Sequence, residues 1–127
     1  MANSSLHLAC DREDLKLVEE ILQKGGGHNL PNFDGDTPLH IACQRGNLAI
    51  VELLCSKPIT NGMTRLNKNG ASPLHMACEN GHFAVVNLLL GQVKTDNDDL
   101  IFPNAEGETP VYLLNQSIFF LLIKTSI

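Results

Sequence analysis

Histidine and cysteine are the residues of this chain best suited to chemistry, and they recur in register. His7, His40 and His75 occupy equivalent places, as do Cys10, Cys43 and Cys78. Three chemistries use such residues: zinc ligation, disulfide formation and a thiolate–imidazole nucleophile. The spacing opposes all three. If successive copies sit on stacked helices, they lie roughly 8–10 Å apart. A disulfide needs Cα atoms closer than about 7 Å. Zinc needs nitrogens converging at about 2.0–2.1 Å. No Cys-x-x-Cys pair is present. A catalytic thiolate needs an electropositive, partly open cleft, whereas these cysteines fall on apolar faces of short helices. The cysteines therefore read as small buried side chains. The histidines read as local hydrogen-bonding groups around a helix cap and the neighbouring turn. His82, directly after Gly81, reads the same way, and His28 is uninformative.

Two weaker motifs fail on the same kind of test. The acidic run from Asp96 to Asp99 invites a calcium loop. Such a loop has Gly at its sixth position and Glu at its twelfth; counted from Asp96, those places hold Ile101 and Gly107. Asn3-Ser4-Ser5 and Asn115-Gln116-Ser117 match the glycosylation pattern, which has meaning only in a secreted chain. No metal, no cofactor and no catalytic residue is expected.

The elements that position these residues are repeats. Leu6-His7-Leu8-Ala9-Cys10 returns as Thr37-Pro38-Leu39-His40-Ile41-Ala42-Cys43 and as Ser72-Pro73-Leu74-His75-Met76-Ala77-Cys78. It returns weakly as Thr109-Pro110-Val111-Tyr112-Leu113-Leu114, and the steps from Leu6 to Leu39, Leu74 and Val111 are 33, 35 and 37 residues. A period in this range marks a solenoid, in which no unit buries its own apolar face.

Each unit has a legible grammar. Asn32-Phe33-Asp34-Gly35 opens the second, echoed by Asn67-Lys68-Asn69-Gly70 and Asn104-Ala105-Glu106-Gly107. The glycine supplies the positive φ of a tight turn. Thr-Pro or Ser-Pro then starts a helix, because the hydroxyl caps an orphan N–H and proline suits the first helical position. Gly46 and Gly81 end that helix. A second helix follows, with apolar residues at Leu48, Ile50, Val51, Leu53 and Leu54, the i, i+3, i+4 spacing of one buried face.

This pattern resembles the ankyrin repeat: turn, Thr-Pro-Leu-His-x-Ala helix, glycine, second helix, loop. The resemblance covers nearly the whole chain. It implies an all-α ankyrin-repeat solenoid of stacked helix-turn-helix units with projecting β-hairpin loops. The expected units are 1–31, an N-terminal cap-like repeat; 32–66; 67–103, with a long acidic loop; and 104–127, degenerate or truncated. The first unit lacks the opening turn and carries Glu13 where glycine belongs; the fourth has Tyr112 for His, Leu114 for Ala and Ile118 for Gly. The apolar tail from Ile118 to Ile123 suggests a piece of a longer array, or a patch that a partner covers.

The resemblance implies a non-catalytic module that binds a partner protein through fingertips and first helices. The alternative is a regulatory segment of a larger enzyme or channel. Carried over by position, the contact residues are Arg12, Phe33, Asp34, Asp36, Gln44, Arg45, Lys68, Asn69, Glu79, Asn80, Glu106 and Glu108. Arg12 and Arg45 sit at equivalent sites; they read first as solvated surface charge, and alternatively as a match for an acidic partner segment. Phe33 at a fingertip suits a hot spot, or equally packs on its own neighbours.

Composition sets the remaining bounds. The net charge of −5 in 127 residues argues against nucleic-acid binding. The longest apolar run, Ile118 to Ile123, is six residues, far short of the ~18 of a membrane span. Free cysteines and the absence of a signal-peptide pattern suggest a cytoplasmic, or nuclear, location.

Overall fold

A computed structural model describes residues 2–25, 30–56, 65–92 and 102–125. His28, Pro58 and the acidic run 96–99 lie outside the described residues. The described residues are all-helical, in the order α1 (Ser5–Asp11), α2 (Leu15–Gln23), α3 (Pro38–Arg45), α4 (Leu48–Ser56), α5 (Pro73–Glu79), α6 (Phe83–Gln92) and α7 (Pro110–Thr125). The helices stack in two rows. One runs α1, α3, α5, α7, and the other α2, α4, α6.

The first-row helices are short because their ends are specified. Ser4, Thr37 and Ser72 each accept a hydrogen bond from the N–H of the histidine three residues on, and that histidine bonds back to the cap backbone. This reciprocal box satisfies two orphan donors at once. At the other end Gly46 (φ 75°) and Gly81 (φ 71°) are left-handed. Glu13 holds the same place in the first unit and is forced into the same region, at φ 56°. It is the one non-glycine residue with positive φ among the described residues.

The fourth unit departs from the others for the complementary reason. With Ile118 in place of glycine, nothing breaks the helix, and α7 runs for 16 residues where α1, α3 and α5 have 7, 8 and 7.

The core lies between the rows. Ala9, Ala42 and Ala77 are fully buried, as are Cys10, Cys43 and Cys78 to within 1%. Their small side chains let first-row helices approach closely. Ile50, Val51, Leu54, Val85, Val86 and Leu89 close the core from the second row. No described helix is long and apolar enough to cross a membrane.

Candidate functional site

The fingers are built by asparagine as much as by glycine. Asn32 Oδ1 accepts from the N–H groups of Asp34 and Asp36, both at 3.0 Å. Asn67 and Asn104 repeat this on Asn69 and Ala71, and on Glu106 and Glu108. In each finger the asparagine N–H also donates to the carbonyl four residues on, at 2.8–2.9 Å. The turn is thus locked from inside, without strand residues among those described.

Successive fingers are joined to one another. The Lys68 N–H donates to the Asp34 carbonyl at 2.9 Å, and the Ala105 N–H to Asn69 at 2.7 Å. A Cβ on Gly35 would stand 2.9 Å from the Lys68 nitrogen. Glycine is needed there for close approach as well as for its φ of 75°. The Asn67 amide reaches Asp36 Oδ1 at 2.9 Å, and the Asn32 amide reaches Asn3 at 2.8 Å. Asn3 stands one period before Asp36, so it supplies the acceptor that the missing first finger would have carried.

The three histidines tie each unit to the next. In His40, Nδ1 accepts from the Thr37 N–H at 3.1 Å, so Nε2 carries the proton and donates to the Ala71 carbonyl at 2.9 Å. His7 makes the same pair of bonds to Ser4 and Asp36, and His75 to Ser72 and Glu108. Burial lowers the pKa of His40 and of His75 below the usual 6.5; the carbonyl bonds and nearby carboxylates oppose this and do not overcome it. His82 donates from Nε2 to the Gln44 carbonyl at 2.8 Å. Its ring lies against Gly46, where a Cβ would stand 2.4 Å from it. Tyr112 breaks the histidine series, and Ser117 takes over part of the linkage by donating to the Cys78 carbonyl at 2.7 Å.

These positions leave nothing for catalysis by thiol. Burial pushes the Cys10 and Cys78 thiols up to about 12 and Cys55 to about 11, and raises Cys43 as well. Such groups stay protonated and un-nucleophilic at neutral pH. Among the described residues, no cluster of three or more His, Cys, Asp or Glu has metal-binding geometry.

A match to the family model "Ankyrin repeats (3 copies)" covers residues 6–101. The chain belongs to the ankyrin repeat family. A search of curated proteins finds no match to it. Ankyrin repeats are in general protein–protein interaction modules and typically non-catalytic, so the exposed surface is the functional candidate.

Seven of the twelve residues expected to make contacts line one concave surface: Asp34, Asp36, Gln44, Asn69, Glu79, Glu106 and Glu108. It encloses about 430 Å³ beside Asn67, Ala71, Met76 and Asn104. Five carboxylates line it, and among the described residues no Lys or Arg does. Asp36 and Glu108 are engaged by Asn67 and Asn104.

The other five residues lie elsewhere. Phe33 is 64% exposed, so it is not packed on its own neighbours. Lys68 is exposed on its finger, and Arg12 is the exposed C-cap of α1. Asn80 caps the end of α5 by donating to the Met76 carbonyl, and borders a different groove. Arg45 is already paired: Nε and Nη2 both donate to Asp11 Oδ1, at 3.1 and 2.7 Å. This contact raises its pKa. Arg45 thus links α1 to α3 instead of standing free for an acidic partner.

The acidic character of the concave face was missed by reading one residue at a time. It is visible in the sequence once the repeats are aligned in columns. Asp34 and Asp36 of one finger, Glu106 and Glu108 of another and Glu79 between them then share one face.

Proposed function

We propose that this ankyrin stack is a non-catalytic binding module whose concave face takes an extended, cationic segment of a partner protein. One observation carries the reading. Five carboxylates converge on a single concave surface that contains no Lys or Arg among the described residues. Asp34 and Glu106 have no side-chain partner among the described residues, so they keep their hydrogen-bonding capacity for a ligand. Neighbouring like charges raise the local negative potential and favour a positive counterpart. Phe33, exposed on the first of these fingers, offers an apolar anchor beside them. In this reading residues 1–31 act as the N-terminal cap, and 32–66, 67–103 and the opening finger of 104–127 carry the binding surface.

The test is fluorescence anisotropy with labelled Arg/Lys-rich, neutral and acidic peptides of equal length. The cationic peptide should bind, and binding should weaken as salt rises. Asp34→Asn with Glu106→Gln should weaken it by about tenfold, the equivalent of ~1.4 kcal/mol. Equal binding of all three peptides, or no loss in the double variant, would sink the reading.

A further inference from the structure

We propose that the projecting half of α7 is the interface of a twofold homodimer, with each tail lying antiparallel in the other chain's terminal groove. That groove, about 630 Å³, lies between the α5–α6 turn and α7. On the α7 side it is lined by Ser117, Phe120, Leu121, Ile123 and Lys124; Ser117, Phe120, Leu121 and Lys124 among them have the i, i+3, i+4, i+7 spacing of one helical face. Phe83 faces them from α6. The groove continues an interface the fold already uses, since the first half of α7 packs on α5.

Three observations select a second copy as the occupant. The first is amount. Ile118 to Ile123 are 40–67% exposed, on the order of 600 Å² of apolar surface, at the upper end for a monomer's largest patch. Six consecutive residues surround the helix, so a pair buries only the groove-facing part, Phe120, Leu121 and Ile123 with Phe83, somewhat under about 1,000 Å² over both chains, the range of a weak interface. The second is shape. The tail is itself a helix with the matching stripe, so the same patch can meet itself about a twofold axis.

The third is charge. Glu79 lies at the Ser117 end of the groove, because Ser117 Oγ donates to the Cys78 and Glu79 carbonyls at 2.7 and 3.3 Å. Lys124 stands at the other end, about 10 Å farther along the helix axis. Neither side chain has a partner among the described residues. Antiparallel pairing carries Lys124 of each chain to Glu79 of the other; parallel pairing sets like charges together.

The interface is small, so the dimer should dissociate in the micromolar range. Sedimentation velocity of the full chain from about 1 to 200 µM should show a monomer–dimer equilibrium with nothing larger. Phe120→Asp should abolish the dimer while the helical circular dichroism is kept. Lys124→Glu should weaken it about fivefold, and adding Glu79→Lys should restore it. A chain that stays monomeric throughout, open-ended oligomers, or a charge-swapped double variant no tighter than Lys124→Glu would each overturn the proposal. The first result would leave the patch to a different protein.

Discussion

His40→Leu removes the best buried tie between units and tests whether the stack is held by these bonds or by apolar packing alone. His40 is fully buried. Its Nδ1 satisfies the Thr37 N–H and its Nε2–H satisfies the Ala71 carbonyl. Thr37 is 1% exposed and Ala71 6%, so water cannot readily replace the lost partner at either. An orphaned buried group costs about 1–3 kcal/mol, or roughly 2–6 kcal/mol for the pair. Leucine recovers part of this through its apolar surface, leaving a net loss of about 2–3 kcal/mol. Urea denaturation should then show the midpoint fall by about 1–2 M at unchanged slope. Phe33→Ala, at an exposed site, is the control and should stay within about 0.5 kcal/mol. A loss below about 0.5 kcal/mol in His40→Leu would refute the reasoning. It would mean that the apolar core holds the repeats together and the histidine bonds merely accompany it.

Two further outcomes follow from the same geometry. His40 and His75 have folded pKa values below the usual 6.5 because burial disfavours their charged forms. The unfolded chain therefore binds more protons just below pH 6.5. The stability these groups contribute is complete above that value and declines as pH falls from it toward the folded pKa values. Denaturation midpoints measured between pH 7.5 and 5 should show this decline, with a shallower slope in His40→Leu; equal slopes would remove His40 as the cause. Glu13→Gly should raise stability by about 0.5–1 kcal/mol, because a left-handed conformation costs an L-residue about 1–2 kcal/mol and the added flexibility of glycine returns part of that. A thermal melt checks it. A lower midpoint would show that the Glu13 contact with the Asn47 amide, at 3.4 Å, outweighs the backbone strain.

What the sequence made legible divides along a physical line. Periodic positions were readable because their job is local and the same in every copy. Ser4, Thr37 and Ser72 cap helices, Gly46 and Gly81 end them, and Ala9, Ala42 and Ala77 allow close packing. The cross-unit partners were not readable, because they depend on which side chains the stack brings together. Arg45 looked available and is bound to Asp11; Asp36 looked like a free fingertip and holds Asn67; Asn3 entered only as part of an Asn-x-Ser pattern and completes the first finger. The departures from the pattern followed the reverse logic. Glu13 keeps the helix-ending conformation without the residue that favours it, because the α1–α2 packing requires the turn. At Ile118 the glycine is also missing, and there the helix runs on through α7. The difference is what lies beyond each position. After Glu13, Asp14 caps α2 by accepting from the Leu17 N–H, and α2 packs on both α1 and α4. After Ile118 comes an unbroken run of large apolar residues with no cap and no glycine. A missing helix stop is thus tolerated where the next element is anchored and lost where it is not. It follows that the surface exposed by that loss, and not the repeated His and Cys positions, is the feature by which this chain differs from a regular array.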